Sequence, residues 1–408
     1  MAFTPASGAA SKTGLSALYR IKFQNGLAWR GLVDSPFYLR VKRDTQFSER
    51  HKERTVAISP GATSSPDLAT ALMYRAATQQ VTFQLDTKPD YVVGSISNKV
   101  LKSNNKAMIR DAFENELEAK GYAFGRTIQR KLWGYAGGSR ATCTATSGTT
   151  ITMSSAWMTM GFHPGDVITI ATDNGTAATP SGTVYGPFTL VDVDPDTPDM
   201  TTSETLPTLT TGTYYIFNPG EYGQNWSGLL GWAPPTAPSA SESFLGIDRT
   251  AHGDTRRLSG FRPFNIRSDK TRTVSEAFAY ASRLGVRPNA IFCNPIDLDK
   301  WVAEMPNPPA EASGPSTFAN VNYSGVKIRL GSGTITVMEE PELPINVWLG
   351  TRMELWTLRS QGDVPMRPTR GELMQESTAD AWQFRLISYA CLDCTDPGDN
   401  IPGLWQAA

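Results

Sequence analysis

Few residues in this chain have the types and spacing that could do chemistry. Cys391-Leu392-Asp393-Cys394 has the spacing of a redox pair or half a zinc site. A four-ligand zinc site would need two more ligands, from Cys143, Cys293 or distant histidines. No second CxxC exists, and no βαβ pattern precedes this one as in thioredoxin-like motifs. The pair therefore reads as two small, semi-buried residues at a strand end. There are only three histidines, His51, His163 and His252. His163 precedes Pro164 and Gly165 in a turn, and His51 lies in the mixed-charge run RVKRDTQFSERHKER. Only His252 has site-like company, in DRTAHGDTRR beside Asp254, Arg256 and Arg257, and a solvated loop or a subunit contact accounts for it better. No G-x-S-x-G elbow and no H-E-x-x-H motif occur. Gly331-Ser332-Gly333 lacks a third glycine and a following helix, so it reads as a hairpin turn rather than a phosphate cradle. A Walker-type loop is missing as well. These residues imply no enzyme, no metal and no cofactor.

The chain of 408 residues is long enough for two or three domain-sized units and a sizeable core. Lys plus Arg is 38 and Asp plus Glu is 39, which excludes a strongly basic nucleic-acid coat. With 40% apolar and 10% aromatic residues it is not a disordered solvating chain. No apolar run approaches the roughly 18 residues of a membrane span, and MAFTPASGAASKTG has no secretory pattern. Four cysteines do not make a disulfide framework, so a reducing compartment is expected.

Along the chain, residues 1–54 read as an arm, with ten Lys/Arg against four acids and scattered apolar residues. A segment that buries so little against itself is expected to lie on something else. Its basic residues Arg40, Lys42, Arg43, Arg50, Lys52 and Arg54, with Arg256 and Arg257 further on, are the candidate inter-subunit contacts. The interspersed Asp44, Glu49 and Glu53 favour salt-bridged protein contact over phosphate binding. Residues 55–90 read as an extended loop: Thr55–Ile58 and Val81–Leu85 have strand character, with the breaker SPGATSSPD between them and little apolar content. Residues 103–135 carry the best helix pattern, capped by Ser103 or an adjacent Asn. Ile109, Phe113 and Leu117 share a face, acids come early and basic residues late, and the helix spans about 45 Å. Gly121 and Gly125 mark a place for a bend.

Residues 141–220 hold no Lys or Arg, seven acids and 21 Thr. Short runs at Val167–Ile170, Thr183–Tyr185, Phe188–Val193 and Tyr214–Phe217, separated by turn signals, predict a small inserted β module. Beyond it, Thr273-Val274-Ser275-Glu276 is a capping box opening a helix to about Gly285, and Asn294-Pro295 opens another to about Met305. Strands are expected at Ala290–Cys293, Val326–Leu330, Thr334–Met338, Val347–Leu349 and Met353–Leu358, with alternation at Trp382, Phe384 and Leu386. The tail CLDCTDPGDNIPGLW reads as a loop. The fold class is α+β.

The order of these parts resembles the major capsid protein of tailed double-stranded DNA phages, the Hong Kong 97-type shell fold. KLWGYAGG after the long helix is similar to that family's helix-ending stretch. GLLGW with FLGIDRTAHGDTRRLSGFRPF, AIFCNPIDLDKW and CTDPGDNIPGLW resemble one branch's axial-domain opening, strand-to-helix step and tail. The resemblance covers most of the chain, and it lies in the order of diffuse patterns. It implies an N-terminal arm at 1–54, an extended loop at 55–90, a peripheral domain with its spine helix at 91–140, the inserted module at 141–220, an axial domain at 221–380 and a return to the peripheral domain at 381–408. It also implies self-assembly into hexamers and pentamers of an icosahedral shell in the virion, made in the bacterial host cytoplasm. The implied partners are other copies of the chain, a portal protein, scaffolding and decoration or cement proteins, and packaged DNA held non-specifically, with no membrane. The spine helix begins about a hundred residues in, so an external scaffolding protein or none is expected instead of a fused one. A nanocompartment shell of the same fold, or another virion component such as a tail protein, fits the same local features.

Overall fold

The computed structural model describes residues 35–405 apart from 48–50, 60–63, 76, 102–105, 155, 176–180, 195–196, 211, 239–242, 253, 264–268, 305–325, 331–332, 363–373 and 376–379. Arm residues 1–34, Arg50, Ser103 and the Gly331-Ser332 turn lie outside the described residues.

The described part of the arm is anchored in the core by Phe37, Tyr38, Val41 and Phe47. Helix α1 (Pro36–Arg40) is capped by the Ser35 side chain, which accepts from Tyr38 N, and it carries Pro at its first turn, where a missing N–H costs nothing. Strand β1 (Lys42–Asp44) then joins a sheet of the same chain. Phe37 is fully buried and meets Trp133, Phe292 and Trp356 edge-on at 5.6, 5.7 and 6.1 Å. The expectation that this segment lies on another surface is corrected for residues 35–47: they fill a gap between three elements of their own chain.

Strand β2 (His51–Ser59) pairs antiparallel with β3 (Gln79–Asp86), and between them lies a short helix, α2 (Leu68–Met73), capped by Asp67. β4 (Lys88–Ser97) leads to the single long helix α3 (Lys106–Trp133). Its Leu117, Phe124, Ile128 and Leu132 are buried, at spacings of seven, four and four residues that put them on one face.

The inserted module is a closed six-stranded barrel. Its strands are β5 (Ala141–Ser147), β6 (Thr150–Met153), β7 (Val167–Ala171), β8 (Val184–Val193), β9 (Asp199–Thr202) and β10 (Tyr214–Phe217), in the order β10-β5-β6-β9-β8-β7. The runs 183–185 and 188–193 are one strand, bulged against β7. Alternate residues such as Cys143, Ile151, Ile168, Ile170, Leu190 and Ile216 point inward and form a core separate from the rest of the chain. Its first and last strands are neighbours, with Ala141 opposite Ile216.

Besides a two-stranded hairpin of Ser243–Phe244 with Ile247–Asp248, the described remainder of the chain builds two larger sheets. The central strand of one is β17 (Ala381–Cys394). Its first ten residues pair with β4, and its last five pair with β15 (Trp356–Ser360), which also holds β1. β16 (Met374–Gln375) pairs with β17 at Gln383 and Trp382. The other sheet has the order β12 (Val326–Leu330), β13 (Gly333–Glu339), β11 (Ala290–Cys293), β14 (Val347–Thr351), β18 (Ile401–Leu404). Helices α4 (Lys270–Arg283) and α5 (Pro295–Glu304) bury Val274, Phe278 and Trp301 in its core.

Three local expectations are corrected. Helix α4 begins a turn earlier than the Thr273 box: Asp269 is the cap, accepting from Arg272 N at 2.9 Å, and Thr273 donates to Asp269 O at 2.9 Å. Met353–Leu355 is a helical turn, and the strand starts at Trp356. The tail is not a loop, since Ile401–Leu404 closes the second sheet as an edge strand, where Pro402 needs no donor. Gly403 sits under the Trp348 indole, 2.2 Å from where its Cβ would be, so no larger residue fits there.

Candidate inter-subunit surface

The basic residues singled out by sequence do not form one patch. Arg40 and Lys42 are exposed. Arg43 donates to Tyr38 O at 3.3 Å and covers the Tyr38 ring at 4.2 Å, so it is committed within the chain. The Lys52 side chain, like Arg50, is outside the described residues. Arg256 is exposed and pairs with Asp254 at 3.1 Å, and Arg257 is half-buried next to Gly398.

Arg54 lies at the root of the β2–β3 hairpin and is spent internally. Its Nε donates to Asp393 Oδ1 at 2.9 Å and its Nη2 to Asp393 Oδ2. The same carboxylate, only 1% exposed, accepts from Arg359 Nε at 2.7 Å, and Arg359 Nη1 reaches Asp44 Oδ2 at 2.5 Å. The carboxylate beside it pushes the Arg54 pKa up. Sequence spacing gave no sign of this pair, because the partners are 339 residues apart.

The surface that does stand out is apolar. On the hairpin, Val56, Val81, Phe83 and Leu85 are buried at the root, and Phe83 packs edge-on against Trp232 at 5.1 Å. At the distal end the pattern inverts: α2 has no buried residue, and Leu68, Leu72, Met73 and Tyr74 are 74, 54, 78 and 69% exposed. The expectation of a loop with little apolar content is corrected here. The signal was LATALMY following the cap Asp67, too short to show a helical period. A second exposed apolar strip runs on the outer face of the β4–β17 ribbon. There Tyr91 and Val93 stand out, and the Tyr91 and Tyr389 hydroxyls meet at 3.2 Å.

The other chemical candidates are placed as follows. Cys391 and Cys394 are three apart on β17, a spacing that turns strand side chains to opposite faces. All four cysteines are free and buried. Burial pushes the Cys143 and Cys391 thiols up to about 12, and those of Cys293 and Cys394 up as well. His252 is exposed in its loop, and the His51 side chain is outside the described residues. Among the described residues no group of three or more His, Cys, Asp or Glu could hold a metal, and no helix is long and apolar enough to cross a membrane.

Two buried charge clusters tie elements together. Lys131, near the end of α3, contacts the Asp90 carboxylate on β4 and lies 3.2 Å from Glu221 in the segment after the barrel. Burial pushes the Asp90 pKa up against the opposing effect of Lys131. Glu340, fully buried after β13, accepts from Ser35 Oγ at 3.0 Å, Gln129 Nε2 at 2.9 Å and Phe37 N at 3.4 Å. Desolvation raises its pKa to about 7.

No protein-family model matches this sequence, and no curated protein does. Solved structures similar to the chain include capsids. The cyanophage A-1(L) capsid asymmetric unit is 12% identical over 90% of this chain and 92% of that chain, with a TM-score of 0.49. The capsid of a native GTA particle is 11% identical over 90% and 89%, with a TM-score of 0.42. The structure of Mycobacterium phage Bobi is 11% identical over 92% and 91%, with a TM-score of 0.41.

Proposed function

We propose that this chain is a structural capsid protein of the Hong Kong 97 type, whose copies assemble into a closed shell. The observation that carries the reading is the hairpin with its apolar end. A two-stranded ribbon is marginal alone, and Leu68, Leu72, Met73 and Tyr74 on its exposed helix offer a contact surface to another molecule. A ribbon end on one copy that docks elsewhere on the next makes a heterologous contact, the kind that builds a ring when the rotation between copies closes. The order of parts supports the same reading: arm, hairpin, long helix and two sheets with the C-terminal strands returning to both. In it, copies form hexamers and pentamers around the packaged DNA of a tailed phage, with a portal and, where present, scaffolding and decoration proteins as partners. The role is structural and not catalytic, and the barrel lies on the outer face or between capsomers.

The test is to express the chain in a bacterium and image it by negative-stain electron microscopy beside the double variant Leu72→Asp, Met73→Asp. Polyhedral particles or capsomer-sized rings from the wild type, and folded but unassembled subunits from the variant, are expected. Wild-type subunits that stay monomeric even with a scaffolding protein added, or a variant that assembles normally, would sink the reading.

A further inference from the structure

The two strands of the hairpin share an apolar root, with Val56 on β2 and Val81, Phe83 and Leu85 on β3 buried, and each adds a polar tie: Gln84 N on β3 donates to Leu245 O at 3.2 Å, and Arg54 on β2 pairs with Asp393. β3 is held by apolar packing of Phe83 against Trp232 and Phe244, at 5.1 and 6.0 Å. Such packing fixes a position but is weakly directional. β2 is held by the Arg54–Asp393 pair, and it also runs beside the helical turn Thr255–Ser259. A guanidinium fork on a carboxylate is planar and two-point, so it fixes an orientation as well as a distance. The acceptor is itself immobile. Asp393 is in the central strand β17, is paired in register with Thr357, and is clamped from the other side by Arg359, which Asp44 holds in turn. The ladder therefore joins the arm, the hairpin root and two neighbouring strands of the sheet.

We propose that Arg54 is a positioning residue for assembly: through its fork on Asp393 it sets the angle at which the hairpin presents its apolar end. This rests on the capsid reading for its consequence but not for its geometry. Replacing Arg54 leaves Asp393 paired with Arg359, which it shares with Asp44, so the cluster goes from balanced to one net negative charge and the hairpin root loses its two-point tie. The apolar root around Phe83 and the Gln84 N to Leu245 O hydrogen bond then remain as the anchor about which the hairpin turns.

The test uses Arg54→Gln and Arg54→Lys in the full chain, each also carrying Thr70→Cys and Tyr280→Cys for spin labels. Thr70 is exposed on α2, Tyr280 is 47% exposed on α4, and the native cysteines are buried and spared from labelling. A narrow label-to-label distance distribution is expected with Arg54 in place. With Arg54→Gln it broadens at least twofold, the thermal midpoint moves by no more than a few degrees, and particle yield falls about tenfold or more; Arg54→Lys, which keeps the charge but not the fork, falls between. An equally narrow distribution in Arg54→Gln would overturn the proposal. So would a broadened distribution with undiminished particle yield, or a loss of yield that only tracks a collapse in thermal midpoint. If the wild-type chain forms no particles, the capsid reading and the assembly role fail together, and the distance distribution still decides whether Arg54 sets the hairpin angle.

Discussion

Replacing Glu340 by Gln should remove a pH dependence from the folding of the isolated chain. The carboxyl is fully buried where the arm, α3 and the end of β13 meet, and it accepts three hydrogen bonds there. Desolvation nevertheless dominates and raises its pKa from 4.5 to about 7. Below about pH 4.5 the group is protonated in both folded and unfolded chains and contributes no difference. Between 4.5 and about 7 the folded chain holds a proton that the unfolded chain has released, so folding stability falls as pH rises. At 1.36 kcal/mol per pH unit the loss levels off above about pH 7 at roughly 3 kcal/mol. Glu340→Gln keeps the shape and cannot ionise, and the Gln129 amide and Ser35 hydroxyl can rotate to suit it. Urea denaturation followed by tryptophan fluorescence, from pH 4.5 to 8.5, measures both proteins. The stability gap should move by about 3 kcal/mol in favour of Gln across that range. Asp90, Asp297 and Asp396 are also raised by burial, so the wild type alone would mix several groups, and the difference isolates one. A gap constant to within about 0.5 kcal/mol would refute the argument that ionised Glu340 is the strained form.

Three further outcomes follow from the packing. Phe37→Ala empties a site enclosed by Trp133, Phe292 and Trp356 and should cost about 3–5 kcal/mol by the same denaturation assay, far more than an arm resting on the surface would. The four thiols should be unreactive toward a chromogenic disulfide reagent at pH 8 in the folded subunit and react fully after unfolding in denaturant, since burial and the raised pKa values act together. Replacing residues 141–217 by a short Gly-Ser link should leave the circular-dichroism spectrum of the two sheets and helices in place, because the barrel has its own core and its ends are adjacent, with Arg140 N donating to Ile216 O at 2.8 Å. Loss of all cooperative unfolding on that excision would show that the barrel is part of the body's core after all.

How much of this was legible in the sequence depends on the distance over which each feature is decided. The barrel was readable because its strands are local, its turns carry glycines at positive φ such as Gly148, Gly165 and Gly175, and its composition changes abruptly. Helix α3 was readable from its length and charge order, and Leu117 is buried as its pattern requires, while the Ile109 and Phe113 side chains lie outside the described residues. The role of Phe37 was not, since its burial depends on residues from three distant elements. The start of α4 was read at the Thr273 box because Thr273 is a good cap by type; the packing of Lys270 and Thr273 into the body carries the helix one turn further back, to Asp269. The strand Ile401–Leu404 was hidden by Pro402 and Gly403, residues that speak against a strand in general but suit an edge lying beneath Trp348. At the candidate surface, basic residues drew attention by charge, yet Arg54 is consumed by Asp393, while the apolar end of the hairpin was too brief to register.

The placement of β17 bears on synthesis. The strand that pairs with β4, β15 and β16 comes from residues 381–394, near the end of the 408-residue chain. The barrel has all its strands by residue 217, so it can fold on a growing chain while the first sheet still lacks its middle. A product broken off before residue 381 would carry a finished barrel beside strands with open edges and an Arg54 without its carboxylate. Completion of the sheet and anchoring of the hairpin root therefore wait for the same late strand.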